Sequence, residues 1–87
     1  MAVLIDNSAS YYVAIPCEHY NKIQFQDKTY ANTITVRDFI KNTIISTISV
    51  PHENNGWSSI VDISSASVIA IPGNPSGMHW IRFRFVE

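Results

Sequence analysis

Apolar and polar residues alternate with a period of two along much of the chain, the spacing of strands that bury one face. The clearest stretch is 78–86, where Ile81, Phe83 and Phe85 alternate with Trp80, Arg82, Arg84 and Val86. Tyr11, Val13 and Ile15 share one side of a second strand. In a third, Ile23 and Phe25 point inward while Gln24 and Gln26 point outward. A further strand is expected over 59–63. Val68, Ile69, Ala70 and Ile71 are apolar on both faces, as in a strand at the middle of a sheet. Asp27-Lys28, between extended segments at 22–26 and 29–35, reads as a tight hairpin turn.

One segment follows a different period. Thr35-Val36-Arg37-Asp38 has the form of a capping box closed by aspartate, and Phe39, Ile40, Thr43, Ile44 and Ile48 follow at spacings of three and four. This predicts one helix near 36–48, ended at the latest by Pro51. The β-branched run Ile44-Ile45-Ser46-Thr47-Ile48 pulls the later part toward extended structure. The expected fold is therefore α+β, mostly β: an antiparallel meander of about six or seven short strands, as a sandwich or an open barrel, with the helix over one face. The expected core is Val13, Ile15, Ile23, Phe25, Ile34, Phe39, Ile40, Ile44, Val61, Ile63, Ile69, Ile71, Ile81, Phe83 and Phe85.

The two ends of the chain resemble each other. Leu4-Ile5-Asp6, Ser8-Ala9-Ser10, Val13-Ala14-Ile15-Pro16, His19-Tyr20 and Ile23-Gln24-Phe25 are echoed by Ile60-Val61-Asp62, Ser65-Ala66-Ser67, Ile69-Ala70-Ile71-Pro72, His79-Trp80 and Ile81-Arg82-Phe83. The expectation is one domain, 1–87, made of two duplicated three-stranded meanders (3–26 and 59–86) around an inserted segment, 27–58. The loop Gly73-Asn74-Pro75-Ser76-Gly77 lengthens the second copy.

Composition supports the strand reading: Ile (13) and Val (7) far outnumber Leu (1), and Thr (5) adds to the β-branched total. The net charge is -1, so no basic field exists to hold nucleic acid or an anionic membrane. Ser (10) and Asn (7) supply much of the polar surface, which suits a chain that packs against copies of itself. A single core in 87 residues supplies roughly 3–5 kcal/mol. Burial between subunits would add to that, and a homo-oligomer is expected. The start, Met1-Ala2-Val3-Leu4-Ile5-Asp6, reads as neither a signal peptide nor a transmembrane segment.

Chemistry-bearing groupings are weak. Cys17 and His19 are alternate residues and Cys17 is the only cysteine, but no ligand spacing for zinc accompanies them, and a thiolate nucleophile would need a base and an oxyanion hole. Asp6 and Asp62 read as strand-end carboxylates and Asp38 as the helix cap. No phosphate-binding glycine motif occurs. No catalytic residue, metal or cofactor is assigned, and the chain reads as a non-enzyme. Trp80, Arg82 and Arg84 on one side of the last strand suit a protein contact, where Trp and Arg serve as anchors. His52-Glu53-Asn54-Asn55-Gly56-Trp57 sets amides beside a tryptophan, the combination of a sugar site; Tyr11 and Tyr12 could extend an interface. The candidate partner-binding residues are thus Trp80, Arg82, Arg84, Trp57, Asn54, Asn55, Tyr11 and Tyr12.

A short, leucine-poor, Ile/Ser/Asn-rich chain of nearly neutral charge is similar in composition to small virion components and accessory proteins of bacteriophages. The resemblance implies a structural or assembly protein acting through protein–protein contacts, located in a virion or in host cytoplasm. The alternative is an inhibitor or adaptor that binds a host protein, for example an anti-defence protein, and the third reading is a carbohydrate-binding module.

Overall fold

The structure, a computed structural model, describes residues 3–7, 10–73 and 80–87. It is β-rich and antiparallel. The strands are β1 (Val3–Asn7), β2 (Ser10–Pro16), β3 (Lys22–Asp27), β4 (Asn32–Asp38), β5 (Thr43–Val50), β6 (Val61–Asp62), β7 (Val68–Gly73) and β8 (Ile81–Val86). They form a five-stranded sheet A in the order β1-β2-β7-β4-β5 and a three-stranded sheet B in the order β6-β3-β8. Both sheets contribute to one core. Sheet A supplies Ile15, Ile34, Val36, Val50, Ile69 and Ile71, and sheet B supplies Ile23, Phe25 and Val61.

β7 lies in the middle of sheet A with Ile69, Ala70 and Ile71 all buried, in keeping with its two apolar faces. The predicted helix at 36–48 is absent, and the segment is the β4–β5 hairpin. The expected capping box does not form: Thr35 Oγ1 lies 3.3 Å from Thr47 Oγ1 across the hairpin, and Asp38 bonds forward along the chain. The Asp38 carboxylate accepts the Ile40 and Lys41 N–H groups at 3.1 and 3.0 Å, as a turn carboxylate does. Asn42 then takes a left-handed conformation, φ 56°, and turns the chain back instead of onward. Six of the eight residues of Thr43–Val50 are β-branched, so extension wins over helix. Burial follows period two along β4, where Ile34, Val36 and Asp38 are buried. Phe39, Ile40 and Ile44, expected in the core, are exposed as a result. Asp38→Ala should cost about 1–2 kcal/mol in chemical denaturation by stranding two amides, whereas Asp38→Asn, which keeps an acceptor, should cost less than half of that.

The hairpin expected at Asp27-Lys28 is also absent. β3 and β4 belong to different sheets, and Asp27, fully buried, accepts the Thr29 and Tyr30 N–H groups at 2.7 and 3.3 Å as the chain crosses between them. The three-stranded meanders do not form either. β2 leaves sheet A through a turn closed by Tyr20 N–H to Cys17 C=O and delivers β3 to sheet B, because the apolar inner face of sheet A needs a second layer. β7 and β8 are divided between the sheets in the same way, and each strand pairs with its counterpart. Val13, Ala14 and Ile15 face Ile71, Ala70 and Ile69, while Ile23, Phe25 and Asp27 face Phe85, Phe83 and Ile81. Both registers map onto themselves when the similar segments are exchanged, about Ala14/Ala70 and Phe25/Phe83. β1 and β6 break this relation, since β1 pairs with β2 but β6 pairs with β3. Of the loop expected at 73–77, Gly73 ends β7 and residues 74–77 lie outside the described residues.

Phe83 is exposed and Ile81 and Phe85 are half-buried, against the expectation of a fully buried face. The side of the strand is as predicted, but β8 is the border of a three-stranded sheet and its inner face is covered from one flank. Phe85 finds partial cover in Tyr20, whose ring stacks on it at 3.9 Å and 5°.

Candidate functional site

The outer face of sheet B is built by cross-strand pairs. Gln24 stands opposite Arg84 and Gln26 opposite Arg82, on the side of β3 and β8 turned away from Ile23 and Phe25. Each glutamine holds two things at once. Its amide oxygen accepts from the facing guanidinium: Arg84 Nε and Nη2 reach Gln24 Oε1 at 3.0 and 2.9 Å. Arg82 Nε reaches Gln26 Oε1 at 2.8 Å, and Nη2 donates to the same oxygen. Its amide nitrogen donates to the segment after the 3-10 turn at Glu53–Asn55, with Gln26 on the Gly56 carbonyl at 3.0 Å and Gln24 on the Ser58 carbonyl at 2.8 Å. Ser58 completes the fixing by exchanging bonds with Phe25: its N–H donates to the Phe25 carbonyl at 2.8 Å and its hydroxyl accepts the Phe25 N–H at 3.0 Å.

Trp57, held between these two anchored residues, is placed against the arginines. The Arg84 guanidinium lies 4.4 Å from the Trp57 ring centroid and that of Arg82 lies 5.9 Å away. Arg82 also makes a 3.3 Å ion pair with Glu53, exposed enough to be worth about 0–1 kcal/mol. Gly56 adopts φ 90°, a left-handed value that glycine accepts at little cost, and its N–H closes the turn on the Glu53 carbonyl. Trp80, immediately before β8, stands 65% exposed, with its carbonyl accepting the Lys28 N–H.

Two groups of residues that the sequence presented separately, the last strand and the 52–57 loop, therefore meet at one place. Trp57, Arg82 and Arg84 are in contact, Trp80 is exposed immediately before β8, and Asn54 and Asn55 are exposed on the adjoining turn. Tyr12 is elsewhere: it sits on sheet A, with the Arg37 guanidinium 5.9 Å from its ring. The Tyr11 side chain lies outside the described residues. Gln24, Gln26 and Glu53 belong to the site although no motif marked them. The one available signal was that two long amides occupy successive outward positions of β3.

Trp57 also borders a groove of about 430 Å³, shared with Asn32, Thr33, Ser49, Ser58 and Ser59 among others. Its lining combines one indole and the aliphatic Ala31, Val50 and Pro51 with hydroxyl and amide groups.

Cys17 is buried and His19 exposed, so the alternate residues form no thiol–imidazole pair. Burial pushes the Cys17 thiol above its ordinary range, and the Asp38 carboxylate adds to the rise. At neutral pH the thiol is protonated and the shift has no cost. As pH rises past the ordinary thiol value the unfolded chain ionises first, and stability falls. A thiol-selective reagent should label Cys17 more slowly at neutral pH than it labels a free thiol, and faster once denaturant is added. The Asp62 carboxylate is held below its usual range by the Ser64 hydroxyl and N–H, the bonding of a turn. No group of three or more His, Cys, Asp and Glu able to hold a metal ion occurs among the described residues, and no helix there is long and apolar enough to cross a membrane.

Comparison with protein-family models, curated proteins and solved structures finds no match to this chain.

Proposed function

We propose that this protein is a non-enzymatic assembly protein that associates with copies of itself through the outer face of sheet B, with Trp80, Trp57, Arg82 and Arg84 as anchors. The observation that carries this reading is the Arg84–Trp57 stack, fixed from beneath by Gln24 and Gln26 next to the exposed Trp80. Rigid aromatic and guanidinium groups that are ordered before contact lose little entropy on binding, which is the property of interface anchors. The small size and neutral polar surface agree with assembly, and the setting is a virion or its host's cytoplasm. The chain's similar halves arise in this reading from duplication of the strand–turn–strand unit, supported by the self-complementary registers of β2/β7 and β3/β8. The test is solution mass by light scattering from low to high micromolar concentration. A discrete oligomer that Trp80→Ala dissociates supports the proposal, and a monomer throughout directs the same face to a foreign protein, the inhibitor or adaptor reading.

A second reading rests on the groove beside Trp57. An indole bordered by Asn32, Thr33, Ser49 and Ser59 suits a neutral sugar, whose apolar face packs on an aromatic ring while its hydroxyls exchange hydrogen bonds with the rim. A glycan array decides it: binding that disappears in Trp57→Ala supports the sugar reading, and no Trp57-dependent signal removes it.

A further inference from the structure

The tip of the β4–β5 hairpin carries a second exposed surface, on the other sheet from Trp57. Ile40 is 69% exposed, Ile44 60% and Phe39 41%, so three large apolar side chains within six residues face solvent. Scattered apolar residues are ordinary on a surface, but a group of them beside one sign of charge is not. The tip is also held in shape. Asp38 accepts two amides of the turn, and the Phe39 N–H donates to the Val68 carbonyl of β7 at 2.9 Å.

The exposed charges carried by the hairpin itself have one sign. Arg37 and Lys41 flank the apolar group, and neither makes an ion pair among the described residues. Asp38, the acidic residue of the hairpin, is buried with its carboxylate occupied by the turn. Arg37 lies on the outer face of sheet A, opposite Ala70 and Ile44, with its guanidinium near the Tyr12 ring. Its Nε is buried without an acceptor. That nitrogen is out of a partner's reach, and a docked carboxylate would pair with the terminal nitrogens of the guanidinium.

We propose that this hairpin tip is a docking surface for an acidic segment of another protein, whose apolar side chains pack on Phe39, Ile40 and Ile44 while its carboxylates pair with Arg37 and Lys41. This does not depend on the sheet B contact, and together the two surfaces would let one chain join its own copies to a different partner. An anionic membrane is a poorer match, because two cations attract such a surface by only about 1 kcal/mol each and one of them is partly buried.

A random dodecapeptide library selected on the wild-type protein, with counter-selection on Ile40→Ser/Ile44→Ser, tests the proposal. Both substitutions are at exposed positions and leave the core intact, which circular dichroism verifies. The expected result is recovery of peptides rich in Asp or Glu and in Leu, Ile or Phe. Their affinity should fall about ten-fold or more in Arg37→Gln/Lys41→Gln, fall with added salt, and be unchanged in Trp80→Ala. Recovery of no tip-dependent peptide, or of neutral or basic ones, overturns it. So does binding to phosphatidylserine vesicles that requires Ile40 and Ile44, or loss of self-association in the Ile40→Ser/Ile44→Ser variant, which would give this surface to lipid or to a second copy.

Discussion

Phe25→Ala is expected to cost about 3–5 kcal/mol, enough to unfold a domain of this size at room temperature. Phe25 is fully buried at the centre of β3, paired with β8 on one flank and bonded through its backbone to Ser58 on the other. Its removal leaves a void between the two sheets that neighbouring side chains, already in contact across the core, can fill only in part. Phe83→Ala should cost roughly 1–2 kcal/mol, since its side chain stays 39% exposed and less apolar area returns to water. Chemical denaturation of the two variants side by side measures the difference. Equal losses would mean that sheet B packs on sheet A differently from the arrangement described.

The second large effect concerns association. Trp57→Ala should weaken self-association about thirty-fold or more, the scale of an interface anchor worth 2 kcal/mol. The folded state should change little, because Trp57 is half-buried and outside the core cluster. Without the indole, the Arg84 guanidinium loses the surface it stacks on, while Gln24 and Gln26 still tie Gly56 and Ser58 to β3. Arg84→Lys gives a finer test: it keeps the charge but loses the planar stack and the paired bonds to Gln24, and should fall between wild type and Trp57→Ala. Loss of folding in Trp57→Ala would assign the residue to stability instead. Wild-type association in both variants would remove this face from the interface.

The β-rich class was legible because period-two patterns follow from the geometry of a strand and need no tertiary information. β7 shows this best, its apolar run marking a central strand, and the outward placement of Arg82 and Arg84 followed from alternation alone. The segment 36–48, helical by its spacing, forms a hairpin for a definite physical reason. Thr35-x-x-Asp38 fits a capping box by residue type alone, but Thr35 pairs with Thr47, Asp38 bonds the amides two and three residues later as a turn carboxylate does, and Asn42 at φ 56° turns the chain back. Apolar spacing of three and four then gave a helical appearance to residues that lie on the tip of a hairpin, where Phe39, Ile40 and Ile44 have no core to face.

The candidate site was legible only in pieces. Trp57 and Arg84 belong to segments far apart in the chain, and nothing local shows that residues 51–58 run beside β3 and set the indole against β8. That contact depends on β3 leaving for sheet B, a choice made by the need to cover the inner face of sheet A. Gln24 and Gln26 read as ordinary outward polar residues until both of their neighbours are in place.

Self-association through the outer face of sheet B is most directly tested by measuring the solution mass of wild-type protein and of Trp57→Ala/Trp80→Ala across low to high micromolar concentration. The expected result is a discrete oligomer for the wild type and a folded monomer for the variant. A wild-type monomer at every concentration, or an oligomer that the double substitution leaves intact, would contradict it.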